Sequence, residues 1–229
     1  MKYSEFQKIM STPRMNRYLI AVGNDSRKAM TLYRRNLRLS QELFTIISCF
    51  EVSLRNAIND LYVKEHGSEW LKKSVSSRGF FSTRKCKGTS KIIRRKLKSL
   101  GSDYIHPKLV AEMDFGFWRY LYASPQFSAA GKKLLKMFPA KPKSSPAIQY
   151  DNKYVFRQLE KINNLRNRIA HHEAVCFKLG YAEIDTTYAS QHYNLTLELF
   201  NWMKINEQSL LYGLDHVNTT IAEIENLRS

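Results

Sequence analysis

A helical repeat of apolar residues between residues 36 and 66 is the feature that most constrains the fold. Its members are Leu43, Ile47, Phe50, Leu54, Ile58 and Leu61. Because an α-helix has about 3.6 residues per turn, spacings of three and four place these side chains on one face. Glycine and proline are scarce, with 9 and 6 in 229 residues, and regular period-2 alternation is hard to find. The sequence therefore predicts an all-α fold with a long helix that Gly67 ends.

Capping residues indicate the other helices of this bundle. Pro13 predicts a helix start and Gly23 its end, and a new helix begins at residues 24–26. Further helices are predicted at about 147–170, 186–204, 206–213 and 215–227, with Asp185 and Asp215 as caps. We expect a single helical domain over residues 1–229, with a basic insert at 72–98.

The charge balance indicates the kind of partner. The chain has 37 Lys and Arg against 20 Asp and Glu, a net charge of +17. Such an excess favours polyanions, with nucleic acid first and an acidic membrane surface second. No segment approaches the ~18 consecutive apolar residues of a spanning helix, and the N-terminus lacks the apolar run of a signal peptide. Three widely spaced cysteines suggest neither a disulfide framework nor a zinc site. These features favour a cytoplasmic protein.

The basic insert concentrates this charge, with 11 Lys and Arg and no acidic residue in 27 positions. Its first half resembles a loop in composition, and residues 89–98 predict a short helix. Phe80 and Phe81 could stack on unpaired bases while cations hold phosphates, although a solvated loop is the alternative. The candidate RNA-binding residues are Arg78, Arg84, Lys85, Lys87, Lys91, Arg94, Arg95 and Lys98. Such contacts supply affinity and do not identify a target sequence.

The stretch "NNLRNRIAHHE" (163–173) carries the candidate chemistry. On a helical wheel Arg166 falls on the apolar side of its helix, where a charge is costly unless it is paired or faces a cleft. Asn167 and His171 are four residues apart and lie on another face. The alternative is that Arg166 reaches past its neighbours to solvent and His171 is an ordinary polar helix end. Adjacent His171 and His172 lack metal-ligand spacing, so we expect no metal and no cofactor.

Arginine and histidine together suit metal-free RNA cleavage. Histidine can take the proton of a 2′-hydroxyl or give one to the leaving 5′-oxygen. Arginine can hold the phosphate and stabilise the charge that develops on it. The pair therefore predicts a site for phosphate chemistry in a basic protein.

Three stretches resemble one known family. They are "LYRRNLRLSQELFTIISCFEVSLRNAIND" (32–60), "DFGFWRYL" (114–121) and "LRNRIAHHE" (165–173). In this order they resemble the abortive-infection (Abi) proteins of the AbiD/AbiF type, within the HEPN ribonuclease superfamily. Arg166, Asn167 and His171 match the Arg-to-His motif of HEPN ribonucleases.

The resemblance implies an all-α HEPN fold and a role in bacterial anti-phage defence or as the toxin of a toxin–antitoxin system. It implies metal-independent endoribonuclease activity that leaves a 2′,3′-cyclic phosphate and a 5′-hydroxyl. With one motif per chain, it implies a homodimer in which each subunit contributes Arg166 and His171. A small structured RNA is the expected restraining partner.

Other residues have supporting roles or none. Glu51 and Arg55 are four apart on the long helix, and the resemblance implies that they line the cleft beside the motif; a surface ion pair is the alternative. His172 is expected to pack at the helix end and support the site. Phe115, Trp118 and Tyr122 have helical spacing and are expected in the core or a dimer contact.

Two rival functions remain open on the sequence. One is an RNA-binding protein without catalysis, whose motif is structural. The other is a basic DNA-associated regulator, which no recognisable helix-turn-helix supports.

Overall fold

The structure is a computed structural model that describes residues 1–228. Within that range it has twelve α-helices, no strand, and one isolated bridge between Phe177 and Ile184. The helices are α1 (Tyr3–Met10), α2 (Thr12–Ala21), α3 (Ser26–His66), α4 (Trp70–Ser74), α5 (Lys87–Leu100), α6 (His106–Ala111), α7 (Phe115–Tyr120), α8 (Ser124–Ala129), α9 (Asn152–Ala170), α10 (Thr187–Trp202), α11 (Glu207–Leu210) and α12 (Val217–Glu225). Short 3-10 helices lie at Arg84–Cys86, Gly101–Asp103 and Leu134–Met137. The predicted all-α class is confirmed.

The long helix α3 begins ten residues before the predicted start. The Asp25 carboxylate accepts hydrogen bonds from the backbone N–H groups of Arg27 (2.9 Å) and Lys28 (3.0 Å) and caps it. The predicted helix that begins at residues 24–26 and the predicted helix at 36–66 are therefore parts of a single helix. It ends as predicted at Gly67, whose φ of 88° glycine adopts without strain.

Helix α9 begins at Asn152, five residues after the predicted start. The Ser145 and Ser144 hydroxyls accept hydrogen bonds from the N–H groups of Ile148 (3.2 Å) and Tyr150 (3.0 Å). These bonds hold residues 144–150 in a turn, because serine side chains compete with helical hydrogen bonding. The Asp151 carboxylate then accepts from the Tyr154 N–H and starts the helix.

The C-terminal helices are shorter than predicted, but their two predicted caps are present. The Asp185 carboxylate accepts from the N–H of Thr187 (2.8 Å), and hydrogen bonds from Thr187 lower the pKa of that carboxyl. The Asp215 carboxylate accepts from the N–H of Val217 at 3.2 Å. It also accepts from the Tyr193 hydroxyl at 2.6 Å, so one side chain both caps α12 and ties it to α10.

The chain forms two compact units. The first comprises Met1–Ser48, Asn164–Glu198 and the chain from Asn206 onward; the second comprises Cys49–Asn163 and Leu199–Ile205. Helices α3, α9 and α10 each contribute residues to both. That all residues belong to one domain stays a prediction.

Contacts between aromatic rings and buried polar hydrogen bonds hold the first unit together. Tyr18 contacts Tyr33 and Phe177, with ring centroids 5.1 and 4.8 Å apart. Buried Asn36 accepts a hydrogen bond from the backbone N–H of Val175 at 2.9 Å. That bond satisfies a buried donor in the loop that follows α9.

The second unit has a core of large aromatic residues. Phe50 contacts Phe115 and Phe200, with ring centroids 6.3 and 5.2 Å apart. The Asn59 amide oxygen accepts from the indole of buried Trp70 (3.0 Å) and lies 2.9 Å from Nε2 of His106. The expected burial of Phe115, Trp118 and Tyr122 is confirmed, since each is at most 1% exposed.

The basic insert lies in the second unit and is anchored to it. Phe81, Cys86 and Ile93 are fully buried, and the Phe81 N–H donates to the Ser74 carbonyl at 2.9 Å. Its helix α5 spans Lys87–Leu100 and includes the predicted 89–98 helix. The idea that Phe81 stacks on bases is wrong because its ring is buried; half-buried Phe80 instead contacts the His66 ring, with centroids 4.7 Å apart.

Within residues 1–228, no helix combines the length and the apolar character needed to cross a membrane.

Candidate functional site

The end of α9 places His171. The backbone N–H of His171 donates to the Asn167 carbonyl at 2.9 Å and continues the helical pattern past Ala170. His172 then has a φ of 56° and donates to Ile169, while Glu173 donates to Arg168, both at 2.9 Å. These two bonds form a Schellman motif, with histidine where glycine is usual. The helix therefore ends sharply with His171 exposed at its tip.

His171 lines a concavity of about 280 Å³ in the first unit. Three arginines share it: Arg14 and Arg17 from α2 and Arg168 from α9. The only carboxylate among its lining residues is that of Glu173. An imidazole beside three guanidinium groups makes this a cationic surface suited to a phosphodiester.

The three arginines differ in how many of their N–H donors already make bonds within the protein. Arg17 donates to the carbonyls of Tyr181 (2.7 Å) and Lys178 (3.1 Å), so it fixes the loop after the motif. Arg168 pairs with Glu173 at 3.1 Å and donates to the Ala174 carbonyl at 3.0 Å. Exposed Arg14 makes one bond of this kind, to the His172 carbonyl at 3.2 Å. Arg14 therefore has the most donors left for a ligand.

Arg166 differs from Arg168, the other arginine near the end of α9. The sequence predicted a charge on the apolar side of this helix, and Arg166 is half-buried with a buried Nε. Within residues 1–228 that Nε has no hydrogen-bond partner. A buried donor without a partner costs free energy, so this N–H group is suited to an acceptor on a ligand.

The structure does not bring Arg166 and His171 into the same concavity. His171 and His172 line it, whereas Arg166 does not. Asn167 is exposed on α9, where its carbonyl accepts from His171 as described. The expectation that the His172 side chain packs at the helix end is wrong: the ring is exposed, and the backbone of His172 ends the helix.

Glu51 and Arg55 lie on α3 in the second unit, and both are half-buried. The Nε of Arg55 donates to the Asn56 side-chain oxygen at 3.3 Å. Their support of the catalytic pair stays a prediction.

The eight predicted RNA-binding cations of the insert are all exposed. Four of them line one concavity of about 520 Å³, together with three serine and threonine hydroxyl residues. These four are Arg84, Lys87, Lys91 and Arg94. The Arg94 guanidinium donates to the Val75 carbonyl at 2.8 Å, which fixes its position at the wall. We call this surface the basic groove.

Two residues of the His171 concavity were missed from the sequence. Arg14 and Arg17 are three apart just after Pro13, so they share a face of α2. That spacing is a usable signal, but nothing local connects residue 14 with residue 171. Within residues 1–228, no cluster of three or more His, Cys, Asp and Glu side chains could hold a metal ion.

These features define an all-helical basic protein with an Arg-and-His motif at a helix end and a separate basic groove. A family model described as Abi-like protein matches residues 1–176, about three quarters of the chain, and the chain belongs to that family. Comparisons with curated proteins and with solved structures gave no significant match. The family assignment agrees with the resemblance of the three sequence stretches.

Proposed function

We propose that this Abi-like protein is a metal-independent endoribonuclease of the HEPN type. In this proposal it acts in anti-phage defence by abortive infection, or as the toxin of a toxin–antitoxin system. Arg166 binds the scissile phosphate, His171 transfers protons and Asn167 positions them. The observation that carries the proposal is the buried Nε of half-buried Arg166, which lacks a hydrogen-bond partner within residues 1–228 and could donate to an incoming phosphate.

The helix geometry supports a site built from two subunits. Five residues along a helix rotate a side chain by about 140° once full turns are removed. Arg166 and His171 of one chain therefore point in different directions, in agreement with the absence of Arg166 from the His171 concavity. In a homodimer, Arg166 of each subunit can face a phosphate beside the His171 concavity of the other.

The reaction needs only proton transfer and charge stabilisation. His171 of one subunit removes the 2′-hydroxyl proton, and the 2′-oxygen attacks phosphorus. The bond from phosphorus to the 5′-oxygen breaks, and the second His171 protonates that oxygen. The products are a 2′,3′-cyclic phosphate and a 5′-hydroxyl. Arg166 stabilises the negative charge on the phosphorus oxygens during the transfer.

The basic groove suits a second RNA contact. Its four cations bind phosphates without selecting a base sequence. We propose that it holds substrate RNA, or a small structured RNA that restrains the enzyme.

Growth after induced expression tests the proposal. We expect the wild-type chain to arrest growth and fragment cellular RNA, and Arg166→Ala and His171→Ala to remain soluble and harmless. Arg157→Ala is the matched control, because Arg157 is an exposed arginine on the same helix. Fragments should need 5′-phosphorylation before ligation, and cleavage by purified protein should persist in EDTA.

Two outcomes would contradict the proposal. Unchanged toxicity in Arg166→Ala and His171→Ala would show that the motif is structural. RNA binding without cleavage, equal in wild type and His171→Ala, would favour the non-catalytic RNA-binding alternative.

A further inference from the structure

A pocket in the second unit is separate from the His171 concavity and from the basic groove. Its volume is about 540 Å³, within the range of small-molecule sites. One wall comes from the start of α5, including Thr89 and Ile92. The other comes from the "DFGFWRYL" stretch, including Asp114 and Tyr120. The proposed cleavage chemistry leaves this stretch without a role.

Gln126 gives the pocket an unmet hydrogen-bonding requirement. Its side chain is only 6% exposed, and its Nε2 donates to the Thr89 hydroxyl oxygen at 2.9 Å. Its Oε1 is buried, and within residues 1–228 no donor reaches it. A buried carbonyl without a donor costs about 1–3 kcal/mol, so such groups are rare in folded proteins. Gln126 is therefore suited to accept from an N–H group of a ligand.

Tyr120 gives the pocket an aromatic surface that is already fixed in place. The residue is 48% exposed, and Ile92 opposite it in the lining is 38% exposed. Its ring packs nearly at a right angle to that of Phe156, with centroids 5.6 Å apart, and the Arg119 guanidinium lies 5.0 Å from the centre of the Tyr120 ring. Arg119 is itself held by Glu160 at 2.6 Å. A rigid, half-exposed aromatic ring can stack on a planar ligand at little entropic cost.

Polar groups narrow the class of ligand. One Asp114 carboxylate oxygen accepts from the Phe117 N–H at 2.8 Å to start α7, and the carboxylate lines the pocket. Exposed Lys85 also lines it. Two acceptors and an aromatic ring suit a heterocycle that carries N–H donors, and a cation suits an attached phosphate. A purely apolar ligand would leave the Gln126 oxygen unbonded, and a bare anion would meet Asp114.

We propose that this pocket binds the base of a nucleotide. Gln126 accepts from the base edge, Tyr120 stacks on its plane and Lys85 neutralises the phosphate. The nucleotide is either free in solution or an unpaired residue of an RNA strand. The second source rests on the proposed RNA binding. An RNA strand held in the basic groove would lie near this pocket, because the two flank α5: Lys87, Lys91 and Arg94 face the groove, and Thr89 and Ile92 face the pocket.

Gly88 allows a matched test. It lines the pocket, and a Cβ placed on it meets no atom within 4 Å. Alanine therefore fits in open space, whereas the phenylalanine of Gly88→Phe extends into the pocket. Calorimetric titration would use the full-length His171→Ala protein, which cannot cleave RNA under the proposed mechanism. The ligands are the monophosphates of adenosine, guanosine, cytidine and uridine, and a ten-nucleotide single-stranded RNA.

For a free nucleotide, we expect at least one monophosphate to bind the Gly88→Ala protein. Gly88→Phe should weaken that binding at least about tenfold, and Gln126→Leu, which removes the acceptor, should weaken it similarly. If the base belongs to an RNA strand, the monophosphates should show no binding. The RNA should then bind at least about tenfold more weakly to the Gly88→Phe protein than to the Gly88→Ala protein. Thermal melting of each variant checks that it is folded.

The proposal is overturned if Gly88→Phe binds the monophosphates and the RNA as tightly as Gly88→Ala does. Because the titration does not require cleavage, that result would leave the proposed nuclease function intact. Conversely, growth arrest by Arg166→Ala tests the proposed nuclease function and does not test nucleotide binding in this pocket.

Discussion

Replacement of His172 by glycine should stabilise the protein and leave its activity intact. His172 has a φ of 56° at the end of α9, where a residue with a Cβ costs about 1–2 kcal/mol. Glycine removes that cost but adds about 0.5–1 kcal/mol of chain entropy in the unfolded state. The net gain is centred on about 0.75 kcal/mol, or about 1.5–3 °C in Tm for a chain of this length. The bond from Arg14 to the carbonyl of residue 172 uses only backbone and is kept.

His172→Ala is the control for this change, since alanine removes the imidazole and keeps the strained conformation. Urea unfolding of both variants, in a His171→Ala background that permits expression, measures the stability difference. Growth arrest is scored in the otherwise wild-type chain. Equal stability of the glycine and alanine variants would refute the strain argument. Loss of growth arrest in both would show that the His172 ring takes part in the chemistry.

Three further predictions concern the second unit. Gly79→Ala should destabilise the chain by about 1–3 kcal/mol in urea unfolding, because its Cβ would lie 2.2 Å from the Ser74 carbonyl oxygen; unchanged stability would mean that the insert is not anchored there. Burial lowers the pKa of His106, so on acidification the imidazole is protonated in the unfolded chain before it is protonated in the folded one. The free energy of unfolding should therefore fall as the pH drops below about 6.5, and His106→Gln should make that dependence shallower. An equal pH dependence in both proteins would refute the role of His106. Lys91→Ala should lower RNA affinity and reduce its logarithmic salt dependence by about one unit, whereas an unchanged slope would remove Lys91 from the RNA contact.

The sequence predicted the helical class well because the apolar period of α3 is strong. Five of the six residues of that repeat are buried, and Leu61 is half-buried. Helix starts were less accurate, since Asp25 and the serines at 144 and 145 decide them through single side-chain hydrogen bonds. Such local competition has no periodic signature.

The candidate site was predicted in part. The helical wheel placed Arg166 on the apolar side of α9, and its buried Nε agrees. Arg14 escaped notice because its bond to the His172 carbonyl joins residues 158 positions apart. Phe81 was misplaced because it lies in a strongly basic segment, whereas its backbone is fixed by Ser74 and its ring is buried.

The arginines near the motif differ in their expected roles: two hold a loop in place, and one is proposed to bind phosphate. Arg17 and Arg168 donate to backbone carbonyls between residues 174 and 181, so their loss would free the loop that shapes the concavity. The buried Nε of Arg166 has no hydrogen-bond partner within residues 1–228, and replacement by alanine removes the cost of that unpaired donor. Arg166→Ala should therefore leave stability unchanged or raised while abolishing growth arrest. A decrease in both would mean that Arg166 supports the fold, and the case for a phosphate ligand would fail.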